Sequence, residues 1–187
     1  MKNILGFIFI KLKNFADLCI AEKNKSLFFT QKSFIHSSFK IGKDNFLDIS
    51  PSAKFDIGEN VVINQSNNIT VKSRATLIIG DNTYITRATI SCLGEIEIGS
   101  NCILGEGMKI FDHNHQYTKQ PFSVSKTNFS IGKVKIGSNV WTGANVVILK
   151  DVTIGDNVIL GAGCVIHKDV PDNTIVINQQ NHHTISI

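Results

Sequence analysis

The chain has 187 residues, a formal charge of +4 and 42% apolar residues, which suits one folded domain with a small appendage. With 14 Gly and 3 Pro, it is not a low-complexity or disordered sequence. Its lysines are scattered and form no basic stripe, which argues against nucleic acid as a partner.

The N-terminus opens on a short apolar run (Ile4, Leu5, Phe7, Ile8, Phe9, Ile10) behind Lys2. The run is too short to span a bilayer. Lys11, Leu12 and Lys13 follow it with no small-residue cleavage site, so a signal peptide is not expected. The pattern predicts an amphipathic helix to about Ile20 that either packs on the domain or touches a membrane surface. Phe28, Phe29, Phe34 and Phe39 alternate loosely with polar residues, and residues 1–40 are expected to form this helix and a cap, since repeat arrays need their ends covered.

A six-residue period organises the chain from about residue 41 to 177. From Ile136 it reads IGSNVW, TGANVV, ILKDVT, IGDNVI, LGAGCV, IHKDVP. The first position holds Ile136, Thr142, Ile148, Ile154, Leu160 and Ile166, and the fifth holds Val140, Val146, Val152, Val158, Cys164 and Val170. The same frame recurs with slips at Ile57-Gly58, Ile79-Gly80 and Ile98-Gly99, with an imperfect first turn at Ile41-Gly42. Each unit supplies a short strand and a corner, and three units close a triangular coil. The first residue points inward, and Gly at the second suits a corner where a side chain would clash or φ is positive. Asn and Asp beside it suit turns. An all-β parallel helix of stacked coils is therefore predicted. The cysteines Cys19, Cys92, Cys102 and Cys164 include no CxxC pair, and they are read as buried free thiols in a reducing compartment.

The period fails between Ile110 and Ile131, where the chain reads FDHNHQYTKQPFSVSKTNFS. A break of this length in a compact array is usually functional or disordered; its content of chemistry-bearing side chains makes residues 112–130 the expected active-site loop. It carries His113 and His115 together with Asp112.

The repeats resemble the hexapeptide-repeat superfamily of acyltransferases, whose coil is a left-handed parallel β-helix. That resemblance, and not the spacing, supplies the hand. The broken repeat with its DHNH segment is similar to the branch that O-acetylates capsular polysaccharide, O-antigen or related glycans. It implies acetyl-CoA as acyl donor and a general-base histidine. Laid on the frame Ile98-Gly99-Ser100-Asn101 and carried through Leu104 and Ile110, the base falls at His115. His113 is then structural or faces the acceptor. An imidazole suits removal of a hydroxyl proton near neutral pH, and a carbonyl or carboxylate, with Asp112 as a candidate, must fix its tautomer. By the same resemblance Trp141 helps shape the acceptor site, and Gly143 and Ala144 present a backbone N–H to the thioester carbonyl. Ala162, Gly163, His167 and Lys168 line the CoA path, and the assembly is a homotrimer with sites between subunits. Arg87 is a candidate contact for an anionic sugar.

Some positions depart from that pattern. Thr142 stands in an inward column where Ile is usual and is expected to back-bond to a carbonyl. The acceptor-binding Asn of the sugar enzymes aligns with Ile85, and the tail at 178–187 lacks the usual Gly-x-Pro-Ala ending. The location expected is the cytoplasm, with peripheral contact at the inner membrane as the alternative. An N-acetyltransferase of an amino-sugar nucleotide is the competing enzyme reading. A non-enzymatic scaffold is a further alternative, as is a zinc enzyme using His113-x-His115, for which neither His167 nor the His182-His183 pair has the spacing of a third ligand. The resemblance itself implies no metal.

Overall fold

Residues 2–30 and 32–179 are described by a computed structural model, with side chains described from Ile8 onward. The chain winds as a left-handed parallel β-helix of triangular section. Its first face stacks Phe34–Ile35, Lys54–Ile57, Thr76–Ile79, Glu95–Ile98, Lys133–Ile136 and Val152–Ile154. The second runs from Lys40–Ile41 through Tyr84–Ile85, Ile103–Leu104 and Trp141–Thr142 to Ile175–Val176, and the third from Phe46–Ile49 to Val165–Ile166. The coil thus begins at Phe34, ahead of the expected boundary at 41, because Phe34 and Ile35 pair in parallel with Asp56 and Ile57.

Strand alternation places one set of side chains inside. Ile57, Ile79, Ile98, Ile136 and Ile154 stack in register down the first face, each fully or almost fully buried. Burial of each such side chain contributes about 1.5–3 kcal/mol. The fifth-position column of Val61, Thr83, Cys102, Val140 and Val158 is buried as well.

The corners divide two tasks between two residues. At the second position, no φ is positive at Gly58, Gly80, Gly99, Gly137 or Gly155. These glycines serve close approach, since a Cβ on Gly99 would sit 2.6 Å from the Gly137 carbonyl carbon and one on Gly80 2.6 Å from the Ser100 nitrogen. The left-handed backbone falls two residues later, at Asn60, Asn82, Asn101, Asn139, Asn157 and Asn173. Asn tolerates this region better than other side chains. The amides also form ladders between coils, Asn139 to Asn157 and Asn157 to Asn173, each at 3.0 Å. The upstream slips in the period are longer coils, since corresponding residues lie 22 apart at Asn60 and Asn82 but 18 apart at Asn139 and Asn157.

Thr142 enters the core through a different bond from the one expected. Its hydroxyl accepts the Gly105 N–H of the preceding coil at 2.8 Å, so no back-bond to its own strand is needed. Cys92, Cys102 and Cys164 are buried, and burial pushes the thiols of all three up. Cys19 is exposed on the helix, contrary to the reading of all four as buried.

The N-terminal end of the prism is plugged by aromatic rings. Phe28 packs 5.4 Å from Phe39 and 4.8 Å from Phe55, centroid to centroid, while Phe29 and Phe34 are exposed. The helix α1 (Lys2–Ser26) meets the first coil through polar groups: Asp17 pairs with Lys43 at 2.8 Å, and the Asn24 amide donates to the Gly42 carbonyl at 2.9 Å. Asp17 holds the Lys43 ammonium above its ordinary value. Ile8, Leu12, Phe15 and Cys19 recur at helical spacing on the opposite side and are exposed. The helix therefore does not pack its apolar side on the domain, because the coil end beneath it is already filled by Phe28. Among the described residues no helix is long and apolar enough to cross a membrane.

Asn139→Ala is expected to destabilise the fold by about 1–3 kcal/mol, the sum of alanine's poorer tolerance of the left-handed region and a lost ladder bond. Asn139→Gly restores the backbone part only, and urea unfolding of the pair separates the two contributions.

Candidate active site

The break in the repeat is a β-hairpin and not an irregular loop. Strands His113–Lys119 and Phe122–Ile131 pair antiparallel, with His113 opposite Ile131 and His115 opposite Phe129. It leaves the edge between the third and first faces, after Phe111 and before Lys133. Its root is tied by Asp112, which is fully buried. The carboxylate accepts the Leu93 N–H at 2.9 Å, the Gly94 N–H at 2.7 Å and the His113 Nδ1–H at 2.9 Å. Its charge, after burial, is what raises the adjacent Cys92 thiol. Asp112 thus anchors the hairpin root, and it orients His113 and not His115.

His115 is oriented by a residue that the sequence reading missed. Its Nδ1 lies 2.8 Å from the Ser125 carbonyl. A carbonyl only accepts, so Nδ1 carries the proton and the neutral ring keeps its lone pair on Nε2. The Ser125 carbonyl is aimed by a register shift between His115 and Tyr117. There Ser125 Oγ accepts the Asn128 N–H at 2.9 Å and closes a turn. The sequence signal was Ser125-Lys126-Thr127-Asn128, a run of turn formers within an otherwise strand-like stretch. Phe129 packs against both histidines, at 5.2 Å from His113 and 4.6 Å from His115, so the two imidazoles share one face of the hairpin. Beside His113 a cavity of about 460 Å³ opens, walled by Leu93, Ser91, Lys72, Phe129 and Ile131.

The remaining candidates lie elsewhere on the same prism. Ala144 and Gly143 sit on the edge between the second and third faces, stacked on Ala162 and Gly163 of the next coil. A Cβ on Gly143 would meet the Ala162 nitrogen at 2.7 Å. The Ala144 carbonyl accepts the Gly163 N–H at 2.8 Å, while its own N–H has no hydrogen-bond partner among the described residues. Gly163 takes φ +71°, and its carbonyl accepts from the Asn178 amide. Residues 180–187 of the tail, including His182 and His183, lie outside the described residues. His167 and Lys168 are exposed on the hairpin's edge two coils further on. Arg87 lies on the Ala144 edge, ion-paired with Glu106, and so does not join His115 within one chain. Ile85, where the sugar enzymes have Asn, is fully buried. Trp141 is half-exposed on the second face, in register with Tyr84, Ile103, Ile159 and Ile175. Among the described residues no three His, Cys, Asp or Glu side chains gather as a metal site.

The three-sided parallel coil is built of six-residue units and is interrupted by one histidine-bearing hairpin. Residues 133–168 match the family model described as bacterial transferase hexapeptide (six repeats). Over 151 residues it is 26% identical to the Escherichia coli (strain K12) protein named "Putative lipopolysaccharide biosynthesis O-acetyl transferase WbbJ", covering 73% of this chain and 77% of that one. Its fold is similar to that of AntD, an N-acyltransferase from Bacillus cereus, a point mutant of which was solved with dTDP and coenzyme A. The TM-score is 0.65 at 20% identity, with 82% of each chain covered. It is also similar in fold to the hexapeptide-repeat-containing acetyltransferase VCA0836 of Vibrio cholerae O1 biovar eltor, solved with acetyl coenzyme A. There the TM-score is 0.57 at 24% identity over 64% of this chain and 63% of that one.

Asp112→Asn replaces one acceptor oxygen with a donor that faces other donors. The expected cost is about 1.5–3 kcal/mol, concentrated at the hairpin root. Faster amide exchange at Leu93 and Gly94, with the coils after Lys133 unchanged, is the measurable result.

Proposed function

We propose that this chain is an acetyl-CoA-dependent O-acetyltransferase acting on a hydroxyl of a bacterial surface glycan or its sugar precursor. The observation that carries the reading is the His115 ring, whose Nδ1–H is held by the Ser125 carbonyl so that Nε2 is the basic nitrogen. In the reaction, Nε2 takes the proton of the acceptor hydroxyl as that oxygen attacks the thioester carbonyl. The negative charge moves to the carbonyl oxygen, and the unpaired Ala144 N–H suits it as a donor. Collapse of the tetrahedral intermediate breaks the C–S bond, and the imidazolium returns its proton to the leaving thiolate. Ala162 and Gly163 leave an exposed shelf beside Ala144 for the pantetheine arm. Lys168, an exposed cation with no ion pair among the described residues, suits a CoA phosphate. Oxygen as the acceptor atom is favoured by the likeness to the WbbJ protein, which is named as an O-acetyl transferase. The N-acyltransferase reading has the fold of AntD on its side.

The working unit in this proposal is a homotrimer with sites between subunits. His115 and Ala144 lie on different edges of one prism, so a second copy has to supply one of them. The second face offers a contact surface, since Tyr84, Ile103, Trp141 and Ile175 form an exposed apolar column. Tyr117, Phe122 and Val124 leave the hairpin equally apolar and exposed. Trp141 then lies at the junction of subunits and acceptor, and His113 borders the acceptor cavity. The enzyme works in the cytoplasm, with the outward apolar side of α1 resting on the inner membrane.

His115→Ala is expected to leave the fold intact and to lower turnover by about 10²–10⁴; near-normal CoA release would remove His115 from the mechanism. CoA release measured with hydroxylated glycans against amino-sugar nucleotides, with product NMR, distinguishes ester from amide. Ile103→Lys is expected to yield a folded monomer by light scattering that has lost transfer activity, whereas an active monomer would place the whole site in one chain.

A further inference from the structure

Another cavity lies away from the histidines, at the N-terminal end of the same edge. It has a volume of about 850 Å³, and its apolar wall is formed by Leu27, Phe29, Ile49 and Pro51. Lys32, Lys54 and Arg74 also line it, and no lining side chain is acidic. None of the three cations has an ion-pair partner among the described residues, whereas nearby Lys72 is paired with Asp48. Arg74 is unusual on its own account. It takes φ +64°, a conformation that is held at most other corners by Asn, Asp or Gly. An Arg in that region carries a backbone cost, so the side chain itself must answer to something other than the turn.

Apolar walls lined also by unpaired cations suit one ligand chemistry, an anionic phosphate ester carried on a hydrocarbon tail. The phosphate meets the guanidinium and ammonium groups, and the tail lies on the phenyl ring and aliphatic side chains. We propose that this cavity binds the phosphate head of such an amphiphile. Its position supports this in two ways. Helix α1 leaves the same end of the prism with its apolar side outward, where a lipid tail would emerge. The Ser52–Ser73 hydrogen bond of 2.9 Å joins the rim of this cavity to that of the smaller one bordered by His113. An amphiphile held here presents its head along the edge that leads to the hairpin. The tail-bearing phosphate is either an anionic glycerophospholipid or a prenyl phosphate of the kind that carries a glycan.

The test is calorimetric titration of the full chain with monomeric short-chain probes: dihexanoylphosphatidate, farnesyl phosphate, dihexanoylphosphatidylcholine and inorganic phosphate. One or both tailed phosphate monoesters are expected to bind at least tenfold more tightly than inorganic phosphate or the zwitterionic lipid, and more weakly as salt rises. Preference for the phosphatidate assigns the site to bulk lipid, and preference for farnesyl phosphate assigns it to a prenyl carrier. The triple variant Lys32→Gln, Lys54→Gln, Arg74→Asn keeps a left-handed-tolerant residue at the corner and is expected to weaken that binding about tenfold to hundredfold. Its melting temperature serves as the folding check. Equal affinity for the phosphatidylcholine, equal affinity for inorganic phosphate, or undiminished binding by a folded triple variant each overturns the proposal. Binding is read without turnover, so a failure of acetyl transfer leaves this test standing.

Discussion

The structure depends on how closely one coil can lie on the next at its corners. Parallel strands in register bring corner backbone against corner backbone, and only glycine permits the contact seen at Gly99 and Gly137 or Gly137 and Gly155. The turn itself then needs a left-handed residue, and Asn meets that need while donating its amide to the coil beyond. Separating these two tasks into nearby positions lets every coil close with the same geometry. The inward Ile column follows from it, because any slip at a corner would rotate the apolar positions out of the core.

That rigid stack explains how an exposed hairpin can hold a histidine in one orientation. Asp112 is gripped by Leu93 and Gly94 of the coil below, so the hairpin's root inherits the register of the stack. Phe129 then backs both imidazoles, and a shift in hairpin pairing turns the Ser125 carbonyl onto His115. Orientation is passed outward from the buried carboxylate through the strand to the ring. The two histidines end with the same free nitrogen in the neutral ring but different partners, a carboxylate for His113 and a carbonyl for His115.

The surfaces of the prism are unequal, and the inequality carries function. The first face is charged on its outside, with Glu95 and Glu97 paired to Lys133 and Lys135. The second is apolar from Tyr84 to Ile175. The edge that bears the hairpin also bears both cavities, and the opposite run of Ala144 and Gly163 bears an unpaired backbone donor. A single chain therefore separates His115 from the Ala144 N–H, which fits the proposal that the chemistry is assembled between copies.

The sequence by itself determined the repeat. The columns at Ile136 and Val140 could be read because a period of six forces identical environments on successive coils, and the break at 112–130 stood out for the same reason. His115 was singled out by the family resemblance laid on that frame. Its partner was not, because Ser125 meets it only through hairpin pairing across ten residues, which no local pattern encodes. The tertiary structure alone decided that Asp112 serves the hairpin root, that Arg87 answers Glu106 and that Thr142 bonds Gly105. Each of these bonds runs between segments distant in sequence, and its partner is chosen by stacking. The helix shows the same division. Its apolar spacing was plain in the sequence, but whether that side faces the domain was settled by Phe28, which had already filled the space beneath it.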